Sequence, residues 1–471
     1  MSNDLFDFGM IGLGTMGRNL LLNMADHGFA VIGFDKDETK GSALLTESSS
    51  THHVKAVVSL SEMVQQLKTP RKIMMLVPAG KPVDDVIESL LPLLDKEDII
   101  IDGGNSFFND TLRRTNYLQN KNVHFVGMGV SGGEKGARFG PSIMPGGDIA
   151  AWNYLKPLLE AVSAKVNNEP CVAYMGKGAA GHYVKMVHNG IEYAIMQLIS
   201  EVYDVMKKGL QLNNQELHEV FKHWNENDLK SFLIEITAAI FLQKDELTKN
   251  DLVDVILDKA GSKGTGKWTS QEAMNLPVSI PTIDIAVAFR DISVYKEERV
   301  AAAKIFGTKD QMITADKNNF IQQIGEALQC AILISYAQGL SMLHKASEIY
   351  QMDIPLDDVV KIWRGGCIIR STLLEAFYES YQKNKNLSNI LLDEIIASLI
   401  ESKEKSLRTI IAKAMESKIA VTGLMSAVGY LDAYTSDRMP TNLIQAQRDF
   451  FGAHTYQRID KDGTFHTQWN N

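Results

Sequence analysis

The chain has 471 residues, 45% hydrophobic and 22% charged, with 12 prolines, a composition that excludes disordered and fibrous proteins and predicts two or three globular domains. Its formal net charge is -9 and no Lys/Arg-rich run stands out, which argues against a nucleic-acid binder and requires a local basic cluster for any anionic ligand. Cys171, Cys330 and Cys367 are scattered, without a CxxC pair or metal-ligand spacing, so no disulfide and no metal site is expected. The N-terminus lacks a basic stretch followed by an apolar core, and no apolar run reaches about 18 residues, which predicts a cytoplasmic chain without a membrane span.

Residues 6–11, 30–34, 72–77, 99–101 and 123–126 are short β-rich runs separated by helical stretches, the alternation of a parallel sheet flanked by helices. Gly12-Leu13-Gly14-Thr15-Met16-Gly17 follows the first run and opens a helix through Arg18-Asn19-Leu20. Between strand and helix, GxGxxG lets the backbone turn tightly, approach a pyrophosphate and aim helix N–H groups at its charge. Asp35 ends the second run, where a Rossmann domain places an acid for the ribose 2′-hydroxyl. A carboxylate there repels a 2′-phosphate, and Lys36 sits between Asp35 and Asp37, so the pattern predicts NAD in preference to NADP.

Two Gly-rich strand ends follow, Asp102-Gly103-Gly104-Asn105-Ser106 and Gly129-Val130-Ser131-Gly132-Gly133. Ligands of doubly wound sheets bind beyond such ends; the second suits a carboxylate, although Gly/Ser turns also occur empty. Gly176, Gly178 and Gly181 then crowd together and strands cease, which predicts a dinucleotide-binding domain over 1–177 and an all-helical domain over 178–438. The first helix beyond, expected over 180–208 and stopped by Gly209, spans roughly 40 Å. Lys185, His188, Asn189, Glu192 and Tyr193 share one of its faces. Such a stripe is either the wet side of an amphipathic helix or a constellation for a polyhydroxylated ligand. The mixture of cation, imidazole, amide, acid and phenol favours the second. So does Gly190, which costs about 1 kcal/mol relative to Ala in mid-helix and implies close approach by another group.

Gly261-Ser262-Lys263-Gly264-Thr265-Gly266-Lys267-Trp268 contains GxxxxGK, but Trp268 replaces the Ser/Thr of a P-loop and the run follows an expected helix, 252–259, in place of a strand. Lys263 and Lys267 form either a phosphate-monoester site or a solvated basic turn. Residues 219–224 and 359–363, each ending in Trp, suggest an internal duplication. Past Pro440, a tail (439–471) carrying Arg448, His454, Tyr456, Arg458 and Trp469 is too aromatic to fray, so something must cover it.

With these segments placed, the chain resembles the decarboxylating 6-phosphogluconate dehydrogenase family over essentially its whole length. The resemblance is carried by the segments at 12–19, 102–105, 131–134 and 140–147, by Gly181-His182-Tyr183-Val184-Lys185-Met186-Val187-His188-Asn189-Gly190-Ile191-Glu192-Tyr193, by 263–268, and by Gln445-Ala446-Gln447-Arg448-Asp449-Phe450-Phe451-Gly452-Ala453-His454. It implies a Rossmann domain followed by a large all-α domain and a short tail. It also implies metal-independent conversion of 6-phosphogluconate to ribulose 5-phosphate and CO2 with a nicotinamide cofactor, in the pentose phosphate pathway. By the same resemblance Lys185 is the general base and Glu192 the general acid. Asn105, Ser131, Gly132, Gly133, His188 and Asn189 hold the sugar acid, and Tyr193, Lys263, Arg290, Arg448 and His454 hold its phosphate end. Cofactor contacts are implied at Gly12 to Gly17, Asp35, Lys36, Val77, Ala79 and Asn105. The family is homodimeric and its tail reaches the partner's site, which places Arg448 and His454 in trans. Two departures matter: NADP-using members carry Asn-Arg-Thr where this chain has Asp35-Lys36-Asp37, and a Lys where it has Pro78. Both point toward NAD, with NADP as the alternative. A shorter β-hydroxyacid dehydrogenase would share the glycines and the helical Lys but has no use for the tail; a silent dinucleotide sensor has no use for Lys185 and Glu192.

Overall fold

A computed structural model of the chain describes residues 5–307 and 312–469, so most of the N-terminal stretch read for targeting lies outside the described residues. Seven strands, β1 (Phe8–Ile11), β2 (Val31–Phe34), β3 (Val54–Val57), β4 (Lys72–Met75), β5 (Ile99–Asp102), β6 (His124–Ser131) and β7 (Ser142–Gly147), form one sheet in the order β3-β2-β1-β4-β5-β6-β7. The first six are parallel. β1 and β5 are buried along their whole length, as expected of a parallel sheet covered by helices on both faces. The expected runs correspond to five of the strands. β3 and β7 were not expected. Val54-Lys55-Ala56-Val57 is a half-buried outer strand with little apolar signal, and Ser142-Ile143-Met144-Pro145-Gly146-Gly147 looks like a turn. Yet β7 pairs antiparallel with β6, at the sheet edge where proline is tolerated, and its outer side is tied down by Cys171, Pro145 and Gly176 carbonyls accepting from Ile143, Met175 and Gly147.

Beyond residue 177 no further strand is formed among the described residues. The long helix expected over 180–208 is present as Ala180–Asp204, continued by a wider π turn over Val205–Gly209. This spine helix is not amphipathic in the usual sense, since every residue from Ala180 to Ile191 is buried. Its first turns lie on the sheet through glycines. A Cβ on Gly181 would sit 2.1 Å from the Gly127 carbonyl oxygen, one on Gly146 would sit 2.2 Å from the Gly181 nitrogen, and one on Gly129 would sit 2.4 Å from Lys185 Cβ. The glycines of β6 and β7 therefore set how closely the helix bearing Lys185 approaches the sheet.

The rest of the helical part packs around the spine: Thr265–Asn275, Pro281–Val294, Thr422–Tyr434 and the 34-residue central helix Lys317–Tyr350. The expected helix over 252–259 is shorter, Leu252–Val255. The paired Trp segments lie on Asn214–Glu226 and Leu356–Trp363, each after a long helix, and Ser231 and Ser371 beyond them meet in an antiparallel bridge with reciprocal bonds, Phe232 N–H to the Arg370 carbonyl and Thr372 N–H to the Lys230 carbonyl. Among the described residues no helix is long and apolar enough to cross a membrane. Because core overpacking typically costs about 1–3 kcal/mol, Gly129→Ala should lower the melting temperature and also depress turnover by displacing Lys185. Unchanged melting temperature and kcat would contradict this packing.

Candidate active site

The glycine turn after β1 is built as GxGxxG chemistry requires. Gly12 has φ +92°, and a Cβ on it would lie 2.5 Å from the Leu76 carbonyl oxygen. A Cβ on Gly17 would lie 1.9 Å from the Gly12 carbonyl oxygen. Gly14 differs, because nothing lies within 4 Å of its Cβ position. The outer glycines thus serve the fold, while the middle one leaves backbone bare to a ligand. No side chain caps the helix Thr15–Asp26 that follows, so its first N–H groups are available to an anion. The cleft beside this turn, about 390 Å³, is lined by Gly12, Gly14, Asp35, Lys36, Val77 and Pro78. It opens between the ends of β1 and β4, where the chain turns opposite ways across the sheet, the usual ligand position in such folds. Asp35 is fixed there, since its carboxylate accepts from Leu13 N–H at 2.7 Å and from Asp37 N–H at 2.9 Å. Lys36 and Ala79 are exposed at the rim. These residues fit a dinucleotide.

The spine stripe is not a wet face. Lys185 is 7% exposed and His188 fully buried, with Asn189 and Tyr193 also buried. Lys185 Nζ lies 3.5 Å from His188 Nδ1, which lies 3.1 Å from Asn189 Oδ1 and 3.9 Å from a Glu192 carboxylate oxygen. Across the gap, Ser131 Oγ is 3.3 Å from His188 Nε2, and Gly132 and Gly133, at φ +130° and +62°, begin the helix Gly133–Phe139. Burial pushes the Lys185 ammonium down, opposed by Glu192. Burial likewise drives His188 well below its ordinary range, helped by Lys185, and raises the Glu192 carboxyl against the pull of Lys185 and Arg290. A lysine shifted down and a carboxyl shifted up on one helix face are the makings of an acid–base pair set by desolvation.

Of the remaining expected residues, Arg290 joins this group, its guanidinium 3.4 Å from the centroid of the Tyr193 ring and its Nη1 donating to the Gly261 carbonyl. That bond draws in the loop carrying Lys263, which is itself exposed. The loop ends in the helix Thr265–Asn275, so Lys263 stands just before a helix N-terminus. Asn105 is exposed on the loop after β5, which Asp102 shapes by accepting from Gly104 N–H and the Ser106 hydroxyl. Arg448 and His454 are not brought to the stripe. They lie exposed on and just beyond the helix Thr441–Gly452, which buries only Asp449.

Gly190 requires a correction. The group close to it is not a ligand but Thr269, whose Cγ2 would be 2.7 Å from a Cβ there; the glycine lets the helix Thr265–Asn275 press against the spine. Other residues of the site are not assigned to it from the sequence, although Thr265 and Trp363 lie in segments already singled out. Thr265 Oγ1 accepts from Asn189, the Trp363 ring meets His188 edge-on at 5.5 Å, Cys367 donates to the Trp363 carbonyl, and the Ile368 N–H reaches Ser131 Oγ. Residues 363–368 thus form the back wall of the site from a remote part of the chain.

Two family models match, the NAD binding domain of 6-phosphogluconate dehydrogenase over residues 7–207 and the 6-phosphogluconate dehydrogenase C-terminal domain over residues 181–469. An NADP(+)-dependent, decarboxylating 6-phosphogluconate dehydrogenase of Bacillus subtilis is 50% identical over 98% of both chains, and the decarboxylating enzyme of Escherichia coli is 46% identical over 98% of both. The solved Plasmodium falciparum 6-phosphogluconate dehydrogenase, studied in apo form and with its cofactor NADP+ and its substrate, is 44% identical and superposes with a TM-score of 0.96 over 98% of this chain and 100% of that one. The chain therefore belongs to the decarboxylating 6-phosphogluconate dehydrogenase family.

Proposed function

We propose that the chain oxidises 6-phosphogluconate at carbon 3 and releases carbon 1 as CO2 to give ribulose 5-phosphate, with Lys185 as general base and Glu192 as general acid. The observation that carries this reading is the buried Lys185–His188–Glu192 array set against the Ser131-Gly132-Gly133 turn. When bound, the nicotinamide supplies the hydride acceptor. Lys185, its ammonium disfavoured by burial, takes the carbon-3 hydroxyl proton in its neutral form and then, as an ammonium, stabilises the enolate left by decarboxylation. Glu192, its carboxyl raised by burial, delivers a proton to the former carbon 2 of the substrate, which becomes carbon 1 of ribulose 5-phosphate. Ser131, the Gly132 and Gly133 N–H groups, His188, Asn189 and Asn105 orient the sugar acid, and Tyr193, Lys263 and Arg290 meet its phosphate. No step calls on a metal. Lys185→Met should reduce kcat by about 10³-fold or more, the scale of a lost acid–base group, while substrate still binds. More than a few per cent residual activity, measured by coupled CO2 release and reduced-cofactor absorbance, would reject the base assignment.

NAD is proposed as the preferred cofactor. Support comes from Asp35, pinned by two N–H donors, and from the absence of an Arg beside it, since Lys36 is a point charge between two acids. The Bacillus subtilis and Plasmodium relatives are named with NADP+, so this is where the chain would part from them. The ratio of kcat/KM values should favour NAD, and Asp35→Asn should shift it toward NADP. A wild-type ratio favouring NADP by about tenfold, roughly 1.4 kcal/mol, would overturn the preference.

We also propose a cytoplasmic homodimer with an internally duplicated helical domain and boundaries near 177 and 438, in which each tail completes the partner's site with Arg448 and His454. The helix Lys296–Phe306 buries none of its residues, Ile305 and Phe306 are largely exposed, and Leu443, Ile444, Phe450 and Phe451 of the tail are exposed too. Such apolar surface calls for a partner. With 6-phosphogluconate well below KM, where both parent variants are nearly inactive, mixing Lys185→Met and Arg448→Ala chains should restore up to about a quarter of wild-type activity, because a two-fold hybrid holds one intact site. No complementation after subunit exchange would place the tail in cis.

A further inference from the structure

The tail contains a buried carboxylate with no part in the chemistry above. Asp449 is completely buried although the helix around it is exposed. Its Oδ1 accepts from Thr455 N–H at 2.9 Å and lies 2.9 Å from His466 Nδ1. Its Oδ2 accepts from Thr467 N–H at 3.0 Å and Trp469 Nε1–H at 2.8 Å. These donors come from the segment that returns past the helix, where Tyr456 and Phe465 exchange backbone hydrogen bonds at 2.8 Å and Trp469 packs on Phe450. Burial alone would raise the Asp449 carboxyl; His466, Thr467 N–H, Trp469 and Thr455 N–H together bring it down to about 2, so it is a carboxylate at working pH.

Asp449 also controls an unusual turn. Ala453 and Thr455, on either side of His454, are both left-handed, at φ +50° and +60°, where residues with a Cβ pay roughly 1 kcal/mol or more each. The turn is held by the Asp449 bond to Thr455 N–H and by Gln445 donating to the Thr455 carbonyl at 2.5 Å. Gln445 Oε1 in turn accepts from Arg448 at 3.3 Å. His454 packs on Gly452, where a Cβ would lie 2.6 Å from its Nε2, and on the Phe451 ring. Strain of this kind persists only where surrounding contacts over-determine it, and it collects where a side chain must be aimed.

We infer that Asp449 is a positioning residue for the phosphate end of the substrate: it locks the turn 453–455 against its helix and so presents Arg448 and His454 as one preformed anion clamp. The inference rests on the reading of Arg448 and His454 as phosphate ligands. Preforming the clamp removes the ordering cost from binding, so Asp449 should act on KM and not on kcat.

The test is a double-mutant cycle in the full-length dimer, with dimer integrity checked by gel filtration and circular dichroism. Arg448→Ala and Asp449→Asn should each raise KM for 6-phosphogluconate by about tenfold or more, with kcat within about threefold and KM for the cofactor unchanged. Combined, they should be clearly less than additive, since both remove one clamp. Trp469→Phe, which deletes one donor and keeps an aromatic ring against Phe450, should give a smaller rise in KM that also vanishes in the Arg448→Ala background; this variant decides the matter if Asp449→Asn does not assemble. If Arg448→Ala raises KM while Asp449→Asn and Trp469→Phe leave it unchanged, or if the effects are additive, the positioning role is wrong and the clamp stands. If Arg448→Ala itself leaves KM unchanged, the clamp reading fails and the inference with it.

Discussion

The spine helix can lie against the sheet only because four of the contacting positions lack a side chain. Gly146 on β7 and Gly181 on the helix bring backbone onto backbone, while on β6 Gly127 leaves room for the Thr111 and His182 side chains and Gly129 for the stem of Lys185, and this close approach carries Lys185 to the carboxyl end of β6, beside the Ser131-Gly132-Gly133 turn. A helix one methyl group further out would leave water between the amine and the strand. The chemistry depends on that exclusion, since desolvation is the leading influence on Lys185, His188 and Glu192 alike.

Burial acts with opposite sign on bases and acids. It lowers the lysine and the histidine and raises the glutamate, which moves the three groups toward a common neutral state in place of a buried ion pair, whose desolvation would be expensive. A proton can then be taken at one end of the array and delivered at the other. The array is roofed by residues 363–368 and flanked by the helix Thr265–Asn275, so parts of the chain remote in sequence keep it dry. The residues proposed for the phosphate end are placed differently: Arg290 lies on the Tyr193 face, Lys263 remains exposed, and the tail stands apart with its own internal order around Asp449.

Much of this was legible beforehand. The offsets of Lys185, His188, Asn189, Glu192 and Tyr193 carry helical periodicity, and GxGxxG between a strand and a helix has a local physical meaning that survives without coordinates. What was not legible is non-local. β7 was hidden because Pro145, Gly146 and Gly147 look like a turn, whereas they serve an edge position and the helix crossing it. Gly190 was misread because a helix packing against a helix demands the same missing Cβ as a ligand would. The Trp363–Ile368 wall meets Ser131 across more than two hundred residues of chain, a separation that leaves no pattern in either segment. Asp449 sat inside a recognised motif, but its burial is created by residues up to Trp469 folding back on it.

The central claim is that Lys185 works as a buried, neutral amine. The pH dependence of kcat/KM for 6-phosphogluconate tests it most directly, because the base form must be present in the free enzyme. A lysine depressed by burial titrates below its ordinary value of 10.5, so activity should rise with pH through an ionisation clearly below that value. That rising limb should disappear in the residual activity of Lys185→Met. A limb at the ordinary lysine position, or one that persists unchanged in the variant, would contradict the account.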